Sequence, residues 1–170
     1  TVQSPARPTA STAGPSVKTQ RIIALILLLC QAGITVSGAV VRVTGSGLGC
    51  VTWPNCHPGS LVPLAGAAPM LHQAIEFGNR LLTFVVGAAA VATIVAMHRA
   101  HRRTELKVYA WLGLAGIAVQ ALIGALSVIL QLSWWSVALH FLPSMALVWI
   151  AAMLYSRINE PDDGTPTRIF

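Results

Sequence analysis

The chain has 170 residues, of which 55% are hydrophobic and 9% charged, and its formal net charge is +6. So large an apolar fraction excludes an ordinary soluble domain and indicates a membrane protein with room for only a few spanning helices. Membrane topology explains the basic charge, so the charge does not call for a nucleic-acid partner.

The N-terminal stretch, residues 1–20, is rich in Pro, Ser, Thr and Ala and has no acidic residue. Such a composition cannot bury enough apolar surface to fold alone, and we therefore expect a disordered cytosolic tail. A mitochondrial transit peptide would be amphipathic and richer in arginine. The sequence therefore favours the bacterial plasma membrane over the mitochondrial inner membrane.

Four apolar segments follow, and each is long enough to cross a bilayer. They predict an all-α membrane protein, a four-helix transmembrane bundle, within residues 21–157. The predicted helices cover about residues 22–41, 75–97, 108–130 and 135–155, and residues 158–170 form a second cytosolic tail.

The positive charges orient this bundle. Arg7, Lys18 and Arg21 precede the first apolar segment, and the basic run "HRAHRRTELK" joins the second segment to the third. The two remaining loops nearly lack Lys and Arg. Because basic loops stay on the cytosolic side, we expect both termini inside (N-in/C-in) and these two loops outside.

The first outer loop contains a cysteine pair in the stretch "VRVTGSGLGCVTWPNC". Cys50 and Cys56 bracket five residues that include Trp53 and Pro54, and they lie on the side of the membrane where a disulfide persists. The sequence therefore predicts a disulfide. It leaves open whether the bond is a structural clip or has a redox or substrate-handling role. Cys30, within the first helix, is interpreted as a small packing residue.

Polar side chains inside spanning helices are costly and therefore mark candidate sites. Each predicted helix has one polar stripe at helical spacing. The stripes are Gln31, Thr35, Gly38 and Arg42; His72, Glu76, Asn79, Arg80 and Thr83; Gly113, Gly116, Gln120, Gly124 and Ser127; and Ser136, His140 and Ser144. We expect the four stripes to converge inside the bundle.

Depth brings some of these residues into one layer. At the rise of an α-helix, Glu76 lies about 6 Å and His140 about 9 Å below the outer interface, near Arg42 and Arg80. An imidazole in a helical bundle is a common haem ligand, and guanidinium groups suit haem propionates. A haem site and a quinone site both fit this pattern. The alternative is that Glu76 and Arg80 neutralise each other and His140 bonds to a neighbouring helix.

Four strings give the sequence a resemblance to a known family: "GAVVRVTGSGLGC", "WPNC", "HQAIEFGNRLL" and "ALHFLPSMALVW". Together they resemble the haem A synthase family, from about Gln20 to Tyr155. Members look like two similar four-helix halves in one chain and oxidise the C8 methyl group of haem O to the formyl group of haem A, for cytochrome oxidase biogenesis. This chain resembles the first half, the haem O side, whereas a b-type haem belongs to the second half.

The resemblance implies roles for individual residues. Glu76 would be the catalytic carboxylate, and His140 would ligate the haem iron. Arg42 and Arg80 would be propionate partners, and the two outer cysteines would belong to the same half.

One position departs from the family pattern. Many members have a histidine where this sequence has Asn79, three residues after Glu76. Because an amide ligates haem iron poorly, we expect His140 to be the one strong ligand. The alternatives are that His72, one turn before Glu76, takes part in binding, or that the site holds substrate haem with an open iron position.

The second half of the family is not part of this sequence. The chain is therefore interpreted as a piece of a longer protein, as a naturally split half, or as a form that self-associates. The candidate partners are haem O, membrane lipid, haem O synthase, a second four-helix half and a second copy of the chain. Two other functions remain open: a non-catalytic haem-binding assembly subunit, and a quinone-linked thiol oxidoreductase. The latter usually needs two cysteine pairs, and the sequence has three cysteines.

Overall fold

The computed structural model describes residues 14–163 and contains four α-helices. These are α1 (Val17–Val43), α2 (Met70–Arg99), α3 (Thr104–Ile129) and α4 (Trp134–Arg157). Each helix is long and apolar enough to cross a membrane, and the described residues form no β-strand. The prediction of an all-α, four-helix membrane protein is confirmed.

Every helix begins earlier than the apolar segments predict. Ser16 caps α1, and its hydroxyl accepts a hydrogen bond from the Thr19 N–H at 3.2 Å. Residues 17–20 of the predicted tail therefore belong to α1. Within the two predicted tails, residues 1–13 and 164–170 lie outside the described residues.

The helices form a four-cornered bundle in chain order. α1 packs against α2 and α4, and α3 packs against the same two helices. In the described part of the chain, the diagonal pairs α1/α3 and α2/α4 have no close backbone contact. We call the end with the α2–α3 loop the inner end, and the end with residues 44–69 and 130–133 the outer end.

Large apolar side chains cover the outside of the bundle. Phe84, Leu122, Ile129 and Leu142 are between 65% and 76% exposed. An apolar surface of this kind is typical of helices that face lipid hydrocarbon, in which a solvated polar face would be costly.

The apolar core lies toward the inner end. The buried cluster consists of Ala24, Leu27, Val86, Ala89, Ala90, Ile94, Ala96, Met97, Leu106, Ala110, Ile117, Ala151, Leu154 and Ile158. Toward the outer end the buried helix residues are mainly polar: Gln31, Gln73, Glu76, Ala125, Ser127, Val128 and Ser136. Polar contacts therefore dominate the interior of the outer half.

A buried arginine ties the inner end together. Arg102 is 6% exposed and donates hydrogen bonds to Asp162 Oδ2 and Gln20 Oε1, both at 2.7 Å. It also donates to the carbonyl oxygens of Ile158 and Glu160, at 2.8 and 3.2 Å. This one side chain joins α1, the α2–α3 loop and the segment that follows α4.

Candidate functional site

The outer loop between α1 and α2 is closed by a disulfide. Cys50 and Cys56 are bonded with an S–S distance of 2.05 Å, and both residues are 0% exposed. The predicted pairing is confirmed. Neither cysteine is therefore accessible from the surface.

Two glycines let this loop lie close against the bundle. A Cβ atom at Gly49 would be 2.5 Å from the carbonyl carbon and oxygen of His72, in the first turn of α2. A Cβ atom at Gly47 would be 2.5 Å from the Leu132 Cδ1 atom, in the connection between α3 and α4. Only glycine fits such approaches without displacing a neighbour. The loop therefore crosses the outer end of the bundle.

Glu76 links the loop to α2. Its Oε2 atom accepts a hydrogen bond from the backbone N–H of Cys50 at 2.7 Å, and its Oε1 atom pairs with Arg80 Nη2 at 2.6 Å. Glu76 is 5% exposed. Both carboxylate oxygens thus have a charged or backbone donor, as a buried carboxylate requires.

Arg80 holds the loop from below. Its Nη1 atom donates to the carbonyl oxygens of Thr52 and Asn55, at 2.9 and 3.2 Å, and its Nη2 atom donates to the Cys50 carbonyl at 3.2 Å. With the Glu76 contact, the two terminal nitrogens make four hydrogen bonds. The guanidinium group is therefore committed to the disulfide loop.

A second polar centre holds the rest of the outer loop, and the sequence analysis missed it. Gln73 is 0% exposed, and its Nε2 atom donates to the carbonyl oxygens of Leu64 and Ala68 at 2.9 and 2.8 Å. Its Oε1 atom accepts from the Leu64 N–H at 2.9 Å and lies 2.7 Å from His57 Nε2. Because Oε1 only accepts, His57 Nε2 carries the hydrogen. The helical spacing of Gln73, Glu76 and Arg80 is the signal that could have revealed this residue.

His140 lies on α4 beside two residues of α3. Its backbone carbonyl accepts hydrogen bonds from Gln120 Nε2 at 2.8 Å and from the Ser144 hydroxyl at 3.0 Å. A Cβ atom at Gly124 would lie 3.2 Å from His140 Cε1, so the absence of a side chain there leaves room for the imidazole. The ring is thus packed against α3, one helical turn from Gln120.

Three buried polar atoms on three helices have no hydrogen-bond partner among residues 14–163: Asn79 Oδ1, Gln120 Oε1 and His140 Nδ1. Each belongs to one of the polar stripes that are predicted to converge inside the bundle. Leaving a buried polar atom unpaired costs about 1–3 kcal/mol, and such atoms are rare in native proteins. A ligand or water bound in the outer half would satisfy them.

The remaining candidates are less enclosed. His72 is half-buried and Arg42 is exposed, and neither side chain has a hydrogen bond or ion pair within the described part of the chain. No hydrogen bond joins Glu76 to His140 across residues 14–163, as expected for residues on the diagonal helices α2 and α4. No cluster of three His, Cys, Asp or Glu side chains suitable for a metal ion occurs over the same range. The structure thus brings Glu76, Arg80 and the disulfide together and leaves His140 on the opposite helix.

Proteins that are similar in sequence are named heme A synthases. The chain is 36% identical to "Heme A synthase" of Lysinibacillus sphaericus over 136 residues, which is 77% of this chain and 43% of that protein. It is 35% identical to the protein of that name from Exiguobacterium sibiricum, over 71% of this chain and 39% of that protein. Identity to the one from Halalkalibacterium halodurans is 30%, over 85% of this chain and 45% of that protein.

The chain thus spans about two fifths of the length of these curated relatives. No solved structure gives a significant match. Residues 21–169 match the family described as "Cytochrome oxidase assembly protein". This match covers α1 from residue 21 onward, the other three helices and the outer loop that carries the candidate site. The chain therefore belongs to the cytochrome oxidase assembly protein family.

Proposed function

We propose that this chain forms the haem O side of a haem A synthase, which oxidises the C8 methyl group of haem O to the formyl group of haem A. The observation that carries the proposal is the buried Glu76 carboxylate, fixed between Arg80 and the Cys50 N–H beneath the disulfide loop. The names of the bacterial relatives supply the substrate class. The bacterial plasma membrane is the proposed location.

The residues of the outer half are compatible with haem. His140 offers an imidazole on α4, for which Gly124 of α3 leaves room in the outer half. The outer half also has few apolar core residues, so a flat apolar ligand would supply the packing that this half otherwise lacks. In this proposal His140 holds the iron of haem O.

The two arginines take different roles. Arg42 is exposed at the outer end of α1 and is therefore the proposed partner of a propionate group. The terminal nitrogens of Arg80 already donate to Glu76 and to three carbonyl oxygens of the loop. We therefore propose that the main role of Arg80 is to hold the loop and Glu76. A propionate group could contact Arg80 only through donor sites that these four bonds do not use. His72 and Asn79 remain candidate contacts of the ligand.

Glu76 is the proposed catalytic residue. The methyl group becomes a formyl group through two hydroxylations, each of which needs an external oxidant to remove two electrons and to supply the oxygen atom, followed by loss of water from the resulting gem-diol. A carboxylate fixed by two donors can stabilise positive charge that develops at the reacting carbon, or accept a proton from a hydroxylated carbon.

The disulfide loop supports this carboxylate. The Cys50 backbone supplies the N–H donor to Glu76 and the carbonyl acceptor for Arg80, and the disulfide fixes that backbone. Because both sulfur atoms are buried, these contacts support a structural role more than thiol exchange with a partner. The same burial argues against the quinone-linked thiol oxidoreductase.

The proposed enzyme needs partners beyond this chain. The alignments leave more than half of each relative unmatched, so we propose that a second four-helix half, or a second copy of the chain, completes the enzyme. Haem b would be held by that second half, and haem O synthase is a candidate donor of substrate. A haem-binding assembly subunit without turnover is the second candidate function, because it needs His140 as a haem ligand and needs no catalytic carboxylate.

The test is an absorption spectrum of the full chain in detergent after addition of haem O, for wild type, His140→Ala and Glu76→Gln. We expect haem binding by wild type and Glu76→Gln, and a lost or shifted signal for His140→Ala. Conversion to haem A, measured by pyridine extraction in the presence of a second half, separates the enzyme from the carrier. Absence of specific binding by wild type would contradict both functions.

A further inference from the structure

Gln120 of α3 makes an asymmetric set of contacts next to His140. Its Nε2 atom donates to the His140 carbonyl at 2.8 Å and to the Ser144 hydroxyl at 2.5 Å. Both hydrogens of the amide nitrogen are therefore used. The Oε1 atom of the same amide is buried and has no partner among residues 14–163.

The amide cannot reverse this orientation. A backbone carbonyl only accepts hydrogen bonds, so the nitrogen of Gln120 must face the His140 carbonyl and the oxygen must point elsewhere. The Oε1 atom can thus be satisfied only by a donor. Ser144 cannot serve, because its hydroxyl donates to the His140 carbonyl at 3.0 Å.

The His140 imidazole has the complementary unpaired atom. Its Nδ1 atom is buried without a partner in the described residues, and the ring lies against Gly124, one turn from Gln120 on the same helix. A hydrogen on Nδ1 would let the imidazole donate to Gln120 Oε1 once the ring rotates toward it, and both buried atoms would then be paired. In the other neutral tautomer Nδ1 is an acceptor, and two unpaired acceptors would remain.

We propose that Gln120 is the positioning residue for His140: it anchors the His140 carbonyl and selects the Nδ1–H tautomer, so that the Nε2 lone pair is the one available to a ligand. Histidines that bind metals usually donate their second ring N–H to an acceptor, which fixes the ring and strengthens the ligand. The step from tautomer to haem iron rests on the proposed function. The tautomer itself depends only on residues of this chain.

The test uses the full chain labelled with ¹⁵N-histidine in lipid bilayers, without haem, and reads the tautomer of His140 from its ¹⁵N chemical shifts. The His140→Ala variant identifies the signals among those of the five histidines. We expect wild type to carry the hydrogen on Nδ1, and Gln120→Leu to shift the population toward Nε2–H. An Nε2–H tautomer in wild type would overturn the proposal even if the variant failed to fold.

Ser127→Ala is the matched control. The Ser127 hydroxyl also joins α3 to α4, through the Ser136 carbonyl at 3.2 Å, but it does not contact His140. We expect this variant to keep the wild-type tautomer. If Ser127→Ala and Gln120→Leu changed the tautomer equally, general loosening of the α3–α4 contact would be the cause and the proposal would be wrong.

A second measurement addresses the haem. With iron protoporphyrin IX bound to the full chain, we expect a higher reduction potential in Gln120→Leu than in wild type and Ser127→Ala. The reason is that a hydrogen-bonded imidazole donates more electron density and favours the ferric state. Equal potentials in all three proteins would contradict the role of Gln120 at the iron. Failure of wild type to bind haem would count against the proposed function, while the tautomer measurement would still decide the inference.

Discussion

The backbone N–H of Cys50 donates a 2.7 Å hydrogen bond to Glu76 Oε2 and so joins the disulfide loop directly to α2. Arg80, one turn further along α2, binds the other oxygen of Glu76 and the Cys50 carbonyl. The candidate catalytic carboxylate is therefore held by the loop that covers it. Changes in the loop and changes in the carboxylate should affect each other.

Removal of the disulfide should destabilise the protein without abolishing the fold. For Cys50→Ala combined with Cys56→Ala, loop-closure entropy predicts a loss of about 2–3 kcal/mol. Thermal unfolding in detergent, followed by circular dichroism, measures the effect as a lower Tm. Cys30→Ala is the control, because Cys30 is the free cysteine among the described residues. An unchanged Tm in the double variant would contradict a structural role for the bond.

Glu76→Gln should separate binding from chemistry. The amide oxygen can still accept the Cys50 N–H, whereas the amide nitrogen cannot accept from Arg80, so the Arg80 contact and the charge that stabilises the reacting carbon are both lost. Arg80 keeps its three bonds to the loop carbonyls and His140 is unchanged, so haem binding should persist. We expect haem A formation by the completed enzyme to fall at least about 100-fold, the usual size of a general acid–base contribution. Chromatography of extracted haems measures the product.

The control for that variant is Glu105→Gln, which removes a carboxylate at the inner end, where Glu105 pairs with Arg157. Its haem A yield should stay near that of wild type. If Glu76→Gln also kept wild-type yield, Glu76 would not be the catalytic carboxylate.

The two arginines should respond differently to truncation. Arg80→Ala removes four hydrogen bonds and leaves the buried Glu76 charge without its partner, for which about 3–5 kcal/mol of destabilisation is expected. Arg42→Ala should leave the Tm unchanged, because the side chain is exposed, and should weaken haem binding if it pairs with a propionate. Thermal unfolding and haem titration of both variants give the comparison. Equal Tm values for the two variants would contradict the clamp role of Arg80.

Asn79→His should add a second axial ligand. Asn79 Oδ1 is buried and unpaired within the described chain, and the resemblance places a histidine at this position in many relatives. With haem bound through His140, the new imidazole should convert the iron to a six-coordinate, low-spin form. Electron paramagnetic resonance of the ferric protein detects the change. A spectrum identical to wild type would mean that position 79 does not face the iron.

Part of the site follows from sequence spacing. The i, i+4 relation of Glu76 and Arg80 predicts their ion pair, and the compartment and spacing of Cys50 and Cys56 predict their bond. The carbonyl partners of Arg80 could not be predicted, because they belong to an irregular loop with no periodicity. The partners of Gln73 could not be predicted either, because they lie in the irregular residues 57–68.

The positions of the helices could be predicted from the sequence, but their first residues could not. Apolar windows located all four spans, because hydrophobic length is the dominant signal for a bilayer. They did not show that α1 begins at Val17, because the first turn contains Lys18 and Thr19 and depends on the Ser16 cap. Local capping and tertiary contacts, rather than hydrophobicity, determine such ends.

The position of the apolar core near the inner end has a consequence for mutational tolerance along the bundle axis. Truncation of Met97 or Leu154, which are buried in that core, should lower protein abundance in the cell whether or not haem is supplied. Substitutions at Gln120 or Gly124 should show effects that depend on haem supply. A saturation mutagenesis screen in haem-replete and haem-depleted cells should therefore divide the protein into two zones along its axis, with a boundary near the middle of the membrane.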